Sequence, residues 1–399
     1  MIKQQPCDGD LRNADMLCFS HLRWDFVFQR PQHLMSRFAR NRRLFFIEEA
    51  VPGDMPAINV RICGQTGVHI AVPTLPAKLG CQSNQILERL IRDMMIQYSV
   101  TDFVAWYYTP MALGFTSTLR PVATIYDCMD ELSLFRGAPP ELIQNEKALL
   151  SRSDLVFTGG YSLFEAKCQQ HHRVYAFPSS VDVCHFAQAR RIRDEVPDQA
   201  HIGHPRIGYA GVIDERMDLE LLRDLADMRP EWHFVMLGPV VKIEPASLPA
   251  RPNIHYLGMK QYDDLPKYFA GWDVAVLPFA LNESTRFISP TKTPEYLAAG
   301  LPVVSTPVRD VVRTYGDIGL LRIGSTPEEF CCAIEQSLNK GMSMKWRERA
   351  DNFVATLSWD KTWLAMNRLI TEIVDARNAE VPRRLAMSAG AKAGEALSV

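Results

Sequence analysis

Short apolar or aromatic runs alternate along the chain with longer stretches whose apolar residues recur at helical spacing. The first series of runs covers residues 16–20, 44–48, 68–72, 103–108, 123–127, 155–158 and 174–177. Helical stretches fall between them at residues 31–40, 85–97, 140–153 and 162–170. Over 85–97 the residues Ile86, Leu87, Leu90, Ile91, Met94 and Met95 form one stripe, which reads as a face packed on a core.

A polar, charge-mixed segment over 187–205 precedes a second series of runs at 206–210, 233–237, 254–257, 274–278, 302–305 and 320–323. Helices are expected at 218–227, 262–270, 293–299, 327–339 and 359–375. Strands alternating with helices in two consecutive blocks predict an α/β chain of two doubly wound domains with parallel sheets. The expected division is a first domain over 1–187, a linker over 188–205, a second domain over 206–358, a last helix over 359–377 and a disordered tail over 378–399. Ligands of such sheets bind beyond the carboxyl ends of the strands, so the cleft between the domains is the expected site.

Composition narrows the class. The chain has 399 residues, 47% hydrophobic, with a formal net charge of −2, which suits a folded protein and excludes binding to nucleic acid through bulk charge. No apolar run approaches the length of about 18 residues needed for a spanning helix. The first ten residues lack a basic segment followed by an apolar one, so a cytoplasmic location is expected. The nine cysteines show no Cys-x-x-Cys pair and no regular spacing, which argues against a disulfide framework or a structural zinc site.

The P-loop, Gly-x-Gly-x-x-Gly, Gly-x-Ser-x-Gly and His-Glu-x-x-His patterns are missing, which weakens NTPase, dehydrogenase, hydrolase and metalloprotease readings. The most informative segment is 289–304, SPTKTPEYLAAGLPVV. Ser289 suits a helix N-cap and Gly300 a helix end before the next strand. A helix opening on a Ser/Thr-bearing loop offers free N–H groups to an anion, with Lys292 adding a full charge. Glu295, one turn in, is placed to accept hydrogen bonds from a ribose. An amphipathic helix with ordinary caps is the competing reading.

This segment resembles the donor-nucleotide helix of the GT-B glycosyltransferases, in particular the large retaining group often called family 4. The resemblance continues through residues 24–34 (WDFVFQRPQHL), 126–131 (YDCMDE), 153–158 (SDLVFT), 181–186 (VDVCHF), 208–214 (GYAGVID) and 358–363 (SWDKTW). It extends to the bacterial teichuronic-acid and exopolysaccharide glycosyltransferases, which the chain resembles. The resemblance implies an acceptor-binding first domain, a second domain that binds a nucleoside diphosphate sugar, and a last helix crossing back to the first domain. It implies that Glu295 binds the ribose, and that Ser289, Thr291 and Lys292 face the diphosphate and sugar. The turn from Gly211 to Asp214 also faces the phosphates. Two positions depart from the family. Phe287 stands where a first motif glutamate is usual, and Val212 takes the place of a phosphate-binding arginine. Arg216, Arg286 or Lys292 is therefore expected to supply the positive charge that a departing diphosphate needs. Arg286 reads equally well as a solvated loop residue.

In the first domain Asp25, Arg30 and His33 follow the first strand, interleaved with Trp24, Phe26 and Phe28, a combination suited to a sugar or lipid-linked acceptor. A helix cap and core aromatics are the alternative. Asp127 ends an apolar strand and Asp130 follows it; a carboxylate there would take the acceptor's proton or orient the donor sugar. Asp127 and Asp25 are the candidate catalytic residues, and Trp24, Arg30, His33 and Asp130 the candidate acceptor contacts. Structural capping competes for Asp127. The histidines show no metal-ligand spacing and Asp-x-Asp is absent, so neither a metal nor another cofactor is expected. Arg30, Arg37, Arg40, Arg42 and Arg43 read either as a peripheral dock on the inner face of the plasma membrane or as a solvated helix face.

The expected function is transfer of a hexosyl group, with retention, from a UDP-linked donor to a bacterial surface glycan, an exopolysaccharide or its lipid-linked precursor. A nucleotide-sugar 2-epimerase and a degenerate GT-B scaffold subunit of a polysaccharide-assembly complex are the alternatives, the latter because of Phe287 and Val212.

Overall fold

The computed structural model describes residues 14–77, 80–340 and 343–395. The first sheet holds β1 (Asp15–Ser20), β2 (Leu44–Glu48), β3 (Val51–Pro52), β4 (Ala57–Ile62), β5 (His69–Leu75), β6 (Phe103–Tyr107), β7 (Ala123–Cys128), β8 (Leu155–Thr158) and β9 (Val174–Ala176). Their order is β3-β5-β2-β1-β6-β7-β8-β9. The second sheet holds β10 (Arg206–Ala210), β11 (His233–Leu237), β12 (Ile254–Gly258), β13 (Val274–Leu277), β14 (Val303–Ser305) and β15 (Arg322–Ile323), in the order β12-β11-β10-β13-β14-β15. Both are doubly wound. Strand order reverses between β1 and β6 in one sheet and between β10 and β13 in the other, and ligand crevices open at such points.

The long apolar runs follow from this architecture. β2, β6 and β10 are buried along their whole length because helices cover both faces of each sheet. Clusters around Trp106 and Tyr107 fill the two sides of the first sheet, and clusters around Phe269 and Phe234 those of the second. The edge differs from the expected all-parallel sheet, because β4 pairs antiparallel with β5 and is half exposed. Its alternation of polar and apolar residues carries no long run, so the sequence pattern passes over it.

Domain boundaries shift from those expected. Val181 and Phe186 lie within 1–187, yet they pack in the second domain's core, where Phe186 stacks on Phe269 at 5.6 Å. The expected linker is also folded onto that domain, with Ala189, Gln199 and Ile202 buried. After helix Met344–Val354 the last helix begins at Trp359 and packs Met366, Ile370, Ile373 and Val374 against the first sheet. It runs Trp359–Glu395, through most of the segment expected to be disordered. Residues 396–399 of that segment lie outside the described residues. Among the described residues no helix is long and apolar enough to cross a membrane.

The domains also meet directly beside the cleft. Asp310 of the second domain, 2% exposed, accepts hydrogen bonds from the Ser162 N–H at 3.2 Å and the Ser162 hydroxyl at 2.5 Å. Ser162 stands in the first turn of helix Tyr161–Lys167, where a carboxylate complements the helix end. A Cβ on Gly160 would lie 2.5 Å from an Asp310 oxygen and 2.8 Å from Ser289 Cβ, so the backbone there has no room for a side chain. Glu165 adds ion pairs to Arg309 at 2.9 Å and Arg313 at 2.7 Å.

Candidate active site

The second domain's contribution starts at the helix Lys292–Ala299. Its N-cap is Thr291 rather than Ser289, and no side chain caps it. Pro290 favours an extended Ser289, and Pro294 fits the first turn, where its missing N–H costs nothing. Ser289 instead offers its carbonyl to the Ser179 hydroxyl at 3.4 Å. The helix therefore opens with uncapped N–H groups beside a cavity of about 130 Å³ that Ser289, Pro290, Thr291 and Lys292 line. Gly300 closes the helix at φ 85°, the left-handed geometry that glycine adopts without strain.

The turn after β10 supplies the floor. Gly211 donates its N–H to Leu237 at 2.9 Å, and a Cβ on Gly238, at φ +139°, would sit 1.8 Å from the Gly211 carbonyl oxygen. The ends of β10 and β11 can touch only as bare backbone. Beyond them Asp214 holds Arg216 by two bonds, Nε–Oδ1 at 3.0 Å and Nη2–Oδ2 at 2.7 Å. Arg216 and Val212 line the cavity, whereas Asp214 lies behind at 3% exposure.

The first domain faces them with Gln29, Arg30, Met129, Asp130, Gly159 and Ser179. Asp127 is not among the lining residues. It is wholly buried at the end of β7, and Arg30 grips it through Nε at 3.0 Å and Nη2 at 2.8 Å. Burial raises its pKa and Arg30 opposes the rise. The apolar strand that made Asp127 conspicuous carries it too deep to touch a ligand, and its task is to position Arg30. Arg30 also donates Nη1–H to the Phe177 carbonyl at 2.7 Å.

Three residues later Asp130 does reach the cavity. Burial pushes its carboxyl above the ordinary range; Arg216 pulls it down most, and Asp214 adds to the rise. Its loop is pinned from below. Lys167, 1% exposed, bridges Glu131 and Glu146 at 2.7 Å each, and the Tyr126 hydroxyl donates to Glu146 at 2.7 Å. Further along, Phe135 lies between Arg216 at 5.4 Å and Lys242 at 4.8 Å, both from the second domain. Lys167, Lys242 and Ser179 escape a reading of the sequence because each belongs to an unremarkable helix or loop and gains its place only through tertiary contacts.

Glu295 repeats the pattern seen at Asp127 and Asp214. It is 4% exposed, does not line the small cavity and pairs with Lys292 at 3.0 Å. Burial raises its pKa, and Lys292 and then His185 counter it. Three buried carboxylates thus each hold one cation, Arg30, Arg216 or Lys292, at the wall of the same small cavity.

A larger cavity of about 610 Å³ joins the first, sharing Val27, Gly211 and Lys292. Trp24, Asp25, Phe26, Phe28 and His33 line it from the first domain, and Gly238, Met259, Gln261 and Tyr262 from the second. His33 stacks on Trp359 at 4.6 Å, and burial holds its imidazole well below the usual range, hence neutral. Asp25 is exposed at the rim and ion-paired with Arg61. Arg286 points away, exposed and 3.5 Å from Glu283, so the structure leaves it out of the cavities that gather the other expected residues. Phe287 packs against the first domain's core.

The basic residues after β1 are drawn into the fold. Arg37 and Arg40 pair with Asp360 on the last helix, Arg42 reaches Asn367, and Arg43 pairs with Asp15. They tie helix Arg30–Phe38 and β2 to their neighbours rather than forming an unpaired basic surface. Among the described residues no group of three His, Cys, Asp or Glu side chains is placed to hold a metal ion.

Comparison with known proteins gives this geometry a family context. Residues 204–340 match the model of the family described as glycosyl transferases group 1. The chain is 24% identical over 275 residues to a putative teichuronic acid biosynthesis glycosyltransferase, TuaH, of Bacillus subtilis, covering 64% of this chain and 68% of that protein. Among solved structures it is similar to sucrose-phosphate synthase from Thermosynechococcus elongatus, with a TM-score of 0.67 and 14% identity over 91% of this chain and 100% of that one. It is also similar to Anabaena Alr3699/HepE in complex with UDP and glucose, with a TM-score of 0.62 and 14% identity over 90% of this chain and 99% of that one. These structural likenesses are likenesses of fold.

Proposed function

We propose that this chain, a glycosyltransferase of group 1 with the GT-B fold, moves a hexosyl group from a UDP-sugar to a bacterial surface glycan, an exopolysaccharide or its lipid-linked precursor. The observation that carries the reading is the convergence of Arg30, Arg216 and Lys292 on one small cavity at an uncapped helix N-terminus. A site with three cations, each fixed by a buried carboxylate, suits a group whose negative charge grows as it leaves, which is the diphosphate of a nucleotide sugar. The positive charge is preorganised, so little reorganisation is needed when the glycosidic bond breaks. These side chains and the helix end compensate the charge without requiring a metal.

Within this reading Arg216, Lys292 and the N–H groups after Thr291 hold the diphosphate, over the floor made by Gly211. The ribose and base extend along Gly238 and Tyr262 into the larger cavity. Asp130, with its raised affinity for a proton, accepts hydrogen from the incoming hydroxyl or orients the sugar, and Arg30 stands beside it. Trp24, Asp25 and His33 form the first domain's wall for the acceptor. Exposed Phe26 and Met259 on either side of the larger cavity give it an apolar entrance, which favours an acceptor with a lipid carrier reached at the inner face of the plasma membrane. Retention of configuration accompanies the family resemblance. The position of Phe287, engaged in packing against the first domain, transfers recognition of the sugar to the loop around Ser289.

Calorimetric titration with UDP, GDP, ADP and dTDP, with and without EDTA, tests the reading. It expects selective binding of UDP that EDTA does not alter. Absence of binding at millimolar concentration would remove the donor assignment and favour an assembly subunit. Isomerisation of UDP-sugar without transfer to any acceptor would favour the epimerase.

A further inference from the structure

Lys292 and Glu295 hold one another in a way that a donor must undo. They stand three residues apart on one helix face, with Nζ and Oε2 3.0 Å apart. Lys292 lines both cavities and Glu295 lines neither. The side chains are 14% and 6% exposed, so the ammonium covers the carboxylate from the cleft. Among the described residues Lys292 is the one side chain that donates a hydrogen bond to that carboxylate.

We infer that this ion pair is an exchange point, broken and replaced on both sides when a nucleoside diphosphate binds; the inference rests on the donor reading above. A ligand with phosphates alone draws Lys292 away and leaves a buried carboxylate without a partner, which is costly. A ligand with ribose alone meets a carboxylate already covered by the lysine, and displacing that lysine gains it nothing. A nucleoside diphosphate brings both replacements at once. Its phosphate oxygens accept from the Lys292 ammonium, and its vicinal ribose hydroxyls donate to Glu295. Neither buried group is then left unpaired.

The shared wall of the two cavities allows this. The smaller cavity gathers Arg30, Arg216 and the N-terminus of the lysine's own helix, and Lys292 stands at its junction with the larger one. The consequence is selectivity for the whole nucleoside diphosphate over either half, produced by one pair of side chains.

The test is calorimetric binding of uridine, inorganic pyrophosphate and UDP to wild type, Glu295→Gln and Lys292→Met. Glu295→Gln releases the lysine, so pyrophosphate should bind at least about threefold tighter than to wild type, while UDP, which loses its carboxylate partner, binds at least about fivefold weaker and uridine, which gains nothing from the covered carboxylate of wild type, changes less than about twofold. Lys292→Met should weaken UDP at least about tenfold and leave uridine no weaker than in wild type. A fixed structural pair makes the opposite forecasts. Pyrophosphate unchanged or weaker in Glu295→Gln, or uridine and UDP weakened by one common factor in Lys292→Met, would overturn the exchange. The neutral isostere in Glu295→Gln needs no cation, so that arm decides the matter even where Lys292→Met does not fold. Wild type that binds no UDP removes the donor reading itself, and the exchange with it.

Discussion

At Arg30 the five guanidinium N–H groups divide between structure and ligand. One on Nε and one on Nη2 go to Asp127, and one on Nη1 goes to the Phe177 carbonyl, which leaves one on each terminal nitrogen for the cavity. Asp127 and Asp130 therefore separate in their behaviour on substitution. Asp127→Asn strands a buried guanidinium and should cost about 3–5 kcal/mol of stability, read as a lowered denaturation midpoint. Asp130→Asn should leave that midpoint within about 1 kcal/mol and lower kcat about a hundredfold or more, with UDP affinity retained. Equal losses of stability in the two variants would contradict the division of labour. Because burial raises the Asp130 carboxyl, the acid limb of the pH–rate profile should lie above the ordinary aspartate range and disappear with the side chain.

His21 gives a second prediction at the same scale. Burial, then the nearby Lys242 charge, lowers its imidazole to about 4. The unfolded chain takes up the proton near pH 6.5 and the folded one only near 4, so the stability that His21 contributes is complete above 6.5 and lost as pH falls through that window. The loss amounts to about 3 kcal/mol at most. His21→Gln should flatten the fall in stability between those pH values, as followed by urea denaturation. An unchanged slope would show that His21 is ordinary. The sequence revealed which residue types gather near the cleft, but not their depth. Asp127, Asp214 and Glu295 look like ligand-facing acids in the chain order. Only packing shows that each stands one layer behind a cation.

Among the elements, the loop carrying Asp130 depends on a network outside the cavity. Lys167→Met breaks both of its carboxylate contacts and should lower kcat several-fold while leaving UDP affinity near that of wild type, since the loop belongs to the first domain. Loss of UDP affinity equal to the loss of kcat would place the effect elsewhere. In the second domain Gly238→Ala has no such locality, because its Cβ meets the Gly211 carbonyl. It should destabilise the chain by about 2 kcal/mol or more and remove UDP binding. The strands were legible in the sequence because parallel strands buried on both faces read as unbroken apolar runs, from residues 16–20 to 274–278. β4, half exposed at an edge, was not. Helix Val183–Ala187 is too short for its period to show in the sequence, so the chain pattern puts the domain boundary after residue 187 instead of before Val181.

Across the whole molecule, the cleft is framed by contacts that hold the domains together. Asp310 on the N-terminal turn of helix Tyr161–Lys167 lies beside Ser289 across Gly160, and Glu165 of the same helix pairs with Arg309 and Arg313. The last helix, anchored by Trp359 and Met366, ties the end of the second domain to the first. Asp310→Ala should widen the distribution of domain separations, seen as a larger radius of gyration in solution scattering, with contraction on adding UDP. A profile identical to that of wild type in both conditions would deny Asp310 that role.

The central claim is that Arg30 and Arg216, each held by a buried carboxylate, and Lys292, which the donor draws from Glu295, make a cationic pocket for the diphosphate of a nucleotide sugar. Calorimetric titration of UDP into wild type and Arg216→Gln, in buffer containing EDTA, tests it most directly. The account predicts wild-type binding that survives the chelator and falls about tenfold or more in Arg216→Gln, with the denaturation midpoint of the variant still that of a folded protein. Binding that needs a divalent metal, or equal affinity in the two proteins, would contradict it.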